Sequence, residues 1–229
     1  MAAGIRAFLM VLLTGAVLGG CTRLESDPPV AARHVISSAT ATVERFTTVP
    51  QLADAAKHIP TAHAIVVFPD LVKAGFIAGG EGGNGVLLSK AAAGGWSQPV
   101  FLSLGAASVG FQAGIQQTEV ILIIRSEGAL QAVLKNQGTL GAETGLTVAV
   151  YGAGIEGAVT TNAGADIIAF ANSKSGLFAG VSLEGAVFIR RRDLNEAFYG
   201  AGATPESILA GKQSNPAAAP LIDALAAAK

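Results

Sequence analysis

From Val30 to Phe46 the apolar residues Ile36, Ala39, Val43 and Phe46 recur at helical spacing, with Arg33, Ser37, Glu44 and Arg45 elsewhere on the wheel. That spacing predicts a helix with one buried face. A second, shorter helix is predicted from Pro50 to His58, where Leu52, Ala55 and Ala56 share a side and Pro60 forces a stop. From Ala64 the period changes. Ile65-Val66-Val67-Phe68 is an unbroken, largely β-branched run, the pattern of a strand covered on both faces. Residues 109–116 alternate, with Val109, Phe111, Ala113 and Ile115 on one face and Gly110, Gln112, Gly114 and Gln116 on the other. Val120 to Ile124 is wholly apolar, and Leu177, Ala179, Val181, Leu183, Val187 and Ile189 mark a further long alternating strand. Between these, Gly128 to Gln137 has the spacing of a helix (Leu130, Val133, Leu134) stopped at Gly138. Thr204-Pro205-Glu206 sets an N-cap and a proline at the first helical position, Gly211 closes that helix, and an Ala-rich helix begins at about Pro216.

Glycine sharpens this outline. Residues 75–185 hold 22 of the 29 glycines, spread along the predicted strands and not confined to turns. Glycine inside strands points to bulges, strong coiling or close approach of one backbone to another. The expected fold class is α+β: a many-stranded antiparallel, strongly coiled, glycine-rich sheet or barrel with N-terminal and peripheral helices, forming one domain over residues 30–229.

The N-terminus follows a different logic. Met1 to Arg6 is a short n-region with one positive side chain, Ala7 to Leu18 is an apolar run, and Gly19-Gly20 precede Cys21. The run is too short for a bilayer-spanning helix and has the anatomy of a secretory signal over residues 1–20. Leu18-Gly19-Gly20-Cys21 resembles the bacterial lipobox, in which the thiol is acylated and becomes the first mature residue. Residues 21–29 are then expected to form a lipidated tether, with Thr22 after the cysteine favouring an outer-membrane anchor facing the periplasm. Several acyl chains, at about 0.8 kcal/mol per buried CH₂, hold a protein where one would not.

Composition narrows the function classes. With 15 Lys+Arg against 16 Asp+Glu the formal charge is −1, so nucleic acid is not expected as a partner. The single cysteine leaves no disulfide framework and no multi-cysteine metal site. Two stretches match the dinucleotide fingerprint, Gly80-x-Gly82-x-x-Gly85 and Gly152-x-Gly154-x-x-Gly157, but each runs into a strand-like segment, where a helix N-terminus is needed to hold a pyrophosphate. No Gly-x-Ser-x-Gly, Ser-x-x-Lys or His-Glu-x-x-His motif occurs, so neither catalysis nor a cofactor is expected. The clustered charges are Arg190-Arg191-Arg192, after the last long strand, while Lys73, Lys90, Arg125 and Lys174 stand at predicted strand ends or turns. Such cations form either a solubilising rim or a patch for anionic headgroups, each adding about 1 kcal/mol near a charged membrane.

Several motifs, in order, carry a resemblance. Ala64-Ile65-Val66-Val67-Phe68-Pro69, Gly82-Gly83-Asn84-Gly85-Val86-Leu87, Gly95-Trp96-Ser97-Gln98-Pro99 and the stretch Gly105 to Gly114 are followed by Leu140-Gly141-Ala142, the stretch Gly176 to Gly185, Asn195 and Tyr199-Gly200. This series resembles the SYLF domain, also called the Ysc84 actin-binding domain, over a core of about residues 45–211. The resemblance implies a non-enzymatic module that binds anionic phospholipid, phosphoinositides in eukaryotic relatives, and whose secreted bacterial members are lipoproteins. The expected site residues are Cys21 for lipidation and Arg33, Arg45, Lys57, Lys73, Lys90, Arg190, Arg191 and Arg192 for headgroups. A phospholipid membrane is the expected partner, with another envelope protein as the alternative. Some relatives bind actin, but actin is not expected for a chain sent out of the cytoplasm.

Overall fold

The computed structural model describes residues 27–75, 78–91, 94–109, 114–135, 147–152, 165–174, 183 and 185–228. The signal segment and Cys21 lie outside that range. Helix α1 (Pro28–Thr48) opens on two prolines, which fit a first turn because its N–H groups have no intrahelical partner. The expected tether therefore yields Pro28 and Pro29 to the helix, and the amides of Val30 and Ala31 bond to the carbonyl of Asp27. A 3₁₀ turn (Pro50–Leu52) leads into the short α2 (Asp54–His58). There follow β1 (Ala64–Gly75), β2 (Ala78–Ser89), β3 (Val100–Val109), β4 (Gly114–Ile124), α3 (Glu127–Lys135), β5 (Val148–Gly152), β6 (Ile167–Ser173) and β7 (Val187–Arg190). Helices α4 (Arg192–Tyr199), α5 (Pro205–Leu209) and α6 (Ala219–Ala227) come last.

The strands form one sheet of order β5-β6-β4-β1-β2-β3-β7, antiparallel throughout except for the parallel pair β5/β6. The α+β class holds, and of the two expected forms the described strands make the open sheet, not the barrel. Two expected strands do not exist as single elements. The alternating run over residues 109–116 is the end of β3 and the start of β4, which pair with different strands, and 110–113 lies outside the described residues. The long strand expected from Leu177 to Ile189 is broken before β7 by a turn in which Ala186 N bonds to Leu183 O and Gly185 takes φ +76°; its first part lies outside the described residues.

Both faces of the sheet are buried near its middle. On one, Val35, Ile36, Val43 and Phe46 of α1 pack with Ile65, Val67, Val86, Phe101, Ile121 and Ile123, joined by Leu194 and Phe198 of α4 and Leu221 of α6. On the other, Val66, Phe68, Leu87, Leu102, Val120 and Leu122 meet Leu130 and Val133 of α3 and Ile208 of α5. Each such fully buried aliphatic or phenyl side chain contributes about 1.5–3 kcal/mol relative to exposure. Buried Asn195 ties α4 to β3 by accepting from Phe101 N (2.9 Å) and donating to Phe101 O (3.1 Å).

A bulge at Pro69 organises the rest. Proline has no N–H for the ladder and sits inside sheets only at edges or bulges. The register of central β1 slips by one residue against both neighbours, between Val67 and Val72 toward β2 and between Phe68 and Leu71 toward β4. Alternation reverses across it. Ile65 and Val67 face α1 before the bulge, whereas Leu71 joins the opposite cluster after it, which puts Asp70 and Val72 on the α1 face. The bulged backbone needs glycine beside it: a Cβ on Gly83 would lie 2.1 Å from Asp70 O, and one on Gly85 2.5 Å from Val67 O.

Candidate functional site: a charged belt beside a glycine-floored shelf

Where α1 ends its cover of the sheet, polar side chains line up across the strands. Glu119 of β4, its side chain fully buried, accepts from Thr42 Oγ1 (2.9 Å), Arg45 Nε (3.0 Å), Arg45 Nη2 (2.5 Å) and Asn172 Nδ2 (3.0 Å), with Lys174 Nζ at 3.5 Å. Burial alone would raise its pKa, but the bonds from Arg45, Asn172 and Thr42 and the charge of Lys174 prevail and hold it below the ordinary range. The hydrogen bond to Glu119 in turn raises Arg45 against its desolvation. Asp70, on the bulge of β1, accepts from Gln117 Nε2 (2.6 Å) and Lys174 Nζ (2.7 Å). The row continues through Asn84 and Ser103, whose hydroxyl donates to Asn84 Oδ1 (2.6 Å), to Arg191, which donates to Asn84 and pairs with Asp193 (2.8 Å). Arg45, Lys174 and Arg191 thus face Asp70, Glu119 and Asp193, so the belt is neutral in sum and its cations are engaged.

Beyond the belt the same face changes character. Ile115 is 76% exposed, Val72 42% and, on β7 at the edge of the belt across from Ser103, Ile189 48%. Between the last two lie Gly82 and Gly105, which pair across β2 and β3, and one step further out Gly80 pairs with Ala107. Unlike Gly83 and Gly85, Gly80 and Gly105 are not forced by close approach: a Cβ would stand 3.8 Å from Ala106 O at Gly80 and 3.8 Å from Ile189 Cδ1 at Gly105, whereas at Gly82 it would press to 3.2 Å from Leu104 O. On the opposite face buried Glu81 sits across the register from Lys73; burial raises its pKa, and the lysine only partly offsets that.

The structure does not gather the predicted headgroup residues into one patch. Arg45 and Arg191 belong to the belt, while Arg190 and Arg192 rim a separate groove of about 370 Å³ with Asn195, Glu196, Thr204 and Glu206. There Arg192 pairs with Glu196 (2.9 Å), and Arg190 lies 3.6 Å from Glu206 and donates to Leu134 O. Lys57 pairs with Asp54 (2.6 Å), and Lys90 lies 3.9 Å over the Trp96 ring, its pKa lowered by burial. Arg33 is exposed on α1. The sequence reading missed Glu119, Asp70, Asn84 and Ser103. The available signal was a glutamate directly preceding the apolar run Val120–Ile124, a charge that a strand buried on both faces must pair. Among the described residues no three His, Cys, Asp or Glu are placed to hold a metal ion, and no helix is long and apolar enough to cross a membrane. The first dinucleotide match runs along β2, and most of the second lies outside the described residues.

Comparison with known proteins matches residues 105–228 to the Ysc84 family, described as "Las17-binding protein actin regulator". "LAS seventeen-binding protein 3" of Saccharomyces cerevisiae is 36% identical over 157 residues, covering 68% of this chain and 34% of that protein. "SH3 domain-containing YSC84-like protein 1" of Xenopus laevis is 33% identical over 164 residues, covering 69% of this chain and 48% of that protein. The match thus spans between a third and a half of these curated relatives. Both the ordered motifs and the extent of the family match lead to one conclusion: the chain belongs to the Ysc84 family.

Proposed function

We propose that this chain is a non-catalytic binding module, anchored through acylated Cys21 to the periplasmic side of the outer membrane, whose Ysc84 domain contacts phospholipid. The observation that carries the reading is the boundary on the α1 face, where a belt of paired charges gives way to exposed Val72, Ile115 and Ile189. A water–hydrocarbon interface asks for that succession of polar and apolar surface. Arg33 and the rims at Arg190 and Arg192 supply additional cations for anionic headgroups. Actin is not taken as the partner, because the signal segment and Cys21 direct the chain out of the cytoplasm.

Co-sedimentation of residues 22–229 with phosphatidylcholine vesicles, and with vesicles containing phosphatidylglycerol, tests this without the acyl anchor. Sedimentation is expected with both, stronger with the anionic vesicles and reduced several-fold there when Arg190, Arg191 and Arg192 are changed to Ser. A domain that stays in the supernatant with either vesicle overturns the reading. Pelleting with filamentous actin in the absence of vesicles would reinstate actin.

A further inference from the structure

We infer that the shelf over Gly80, Gly82, Gly105 and Ala107, walled by Val72 on one side and by Val187 and Ile189 on the other, seats one hydrocarbon chain of a phospholipid. This rests on the phospholipid reading above and assigns it a place. Val72 on β1 and Val187 on β7 share a register row with Gly82 and Gly105 and are three strand spacings apart, about 14 Å between strand axes, with Ile189 one step toward the belt. After the two side chains are allowed for, the gap suits an extended acyl chain in van der Waals contact on both sides. The floor selects against a peptide strand. The backbone groups of β2 are already bonded to β1 and β3, and those of β3 at Gly105 to β2 and β7, so an extended peptide finds no ladder to join over Gly80, Gly82 and Gly105. What the floor offers is apolar surface without hydrogen-bonding demand.

The two ends of the shelf give the occupant a direction. Toward α1 it stops at the hydrogen-bonded pair Asn84 and Ser103, in the belt; away from α1 it runs out over exposed Gly80 and Ala107. An amphiphile lies there with its polar head at the belt and its chain on the glycines. The empty Cβ positions fit this occupant: among the described residues nothing requires Gly80 or Gly105 to lack a side chain, yet any larger residue would fill the trough.

The full-length chain, bound to phosphatidylglycerol vesicles carrying a trace of phospholipid with a diazirine near the end of one acyl chain, is irradiated and the labelled peptides are mapped. Label is expected on the segments bearing Gly80–Gly82 and Gly105–Ala107, falling at least five-fold in Gly105→Leu and in Gly80→Leu. Far-ultraviolet circular dichroism and thermal melts identify whichever variant stays folded, and that variant is the one compared. Label confined to the N-terminal anchor region, or unchanged in the folded variant, overturns the inference. So does a dimer seen by sedimentation equilibrium that the folded variant abolishes, since the shelf would then belong to a second copy. Vesicle flotation of residues 22–229 separates this from the broader reading: flotation without shelf label rejects the trough and leaves phospholipid contact standing, whereas the absence of both flotation and shelf label rejects both.

Discussion

Glu119 and Glu81 lie on opposite faces of the same sheet and respond to burial in opposite ways. Glu119 is ringed by donors, so its folded pKa falls below the ordinary carboxylate value of about 4.3. Its contribution is complete above that value and is lost as the pH drops through the folded one. Glu81 is buried with only Lys73 opposing the desolvation, so its folded pKa is raised. Its protonated form suits the fold, and stability is lost as the pH climbs through the raised value. Urea titrations should show Glu119→Gln costing about 2 kcal/mol at pH 7, less than for a fully enclosed pair because Arg45 still reaches water, with the gap to the parent closing below about pH 4. Glu81→Gln should instead exceed the parent at pH 7 and converge with it near pH 4. Two curves of the same sign would refute the assignment of the two environments. The apolar run after Glu119 signalled that this charge needs a partner but not which one, and Glu81 stands in the sequence as an isolated acid. Their roles depend on which neighbours the sheet order brings alongside, and Asn172 and Lys174 reach Glu119 only because β6 pairs with β4.

At the scale of elements, what the sequence announced best was periodicity. Helix α1, the runs Ile65–Phe68 and Val120–Ile124, and the Thr204 cap of α5 were legible because each is written in adjacent residues; Thr204 and Ser207 form a reciprocal capping box. The alternation through 109–116 misled because its period of two continues across a change of strand, and nothing local records that β4 leaves β3 to pair with β1. Glycine was legible as a class but not by role. Gly83 and Gly85 answer the Pro69 bulge, whereas Gly80 and Gly105 lie where a methyl group meets only ordinary contacts. Gly83→Ala should therefore cost about 3 kcal/mol by overpacking, a drop on the order of 10 °C in melting temperature for a chain of this size. Gly105→Ala should fall within about 1 kcal/mol of the parent, on the stabilising side. Equal melting temperatures for the two variants would contradict the distinction.

At the scale of the molecule, the described helices cover the sheet on both faces near its middle, but on the α1 side their cover ends at the belt. Among the described residues, 64–68 and 120–124 lie between two apolar clusters, while 72–74 and 105–107 have such a layer on one face at most. Amide exchange should reflect that difference. The first group should exchange only through global unfolding, and the second through smaller openings, orders of magnitude faster, although it too is laddered into the sheet. Uniform protection along β1 would show that the outer half of the sheet is stabilised by something other than packing on this face. The same asymmetry explains why no sequence motif marked the candidate site. A shelf is defined by side chains that are missing, and the belt by residues drawn from α1, β1, β2, β3, β4 and β6 that converge only in the folded sheet.

Pro69 amounts to a phase shift in the chain. A strand is a two-letter alternation, and the extra residue advances it by one count, so the same ribbon addresses one side of the molecule before the bulge and the other side after it. Deleting Pro69 would be a frameshift without a change of reading frame in the gene: Leu71 would turn outward, Val72 inward, and Asp70 would leave Lys174. The error would stop at Gly75, where β1 ends. A single compensating deletion or insertion in a neighbouring strand could not repair it, because β2 and β4 are both registered against the slipped count. The side chains that meet water and those that meet the core beyond the bulge are thus set by one buried residue whose chief effect is on the count.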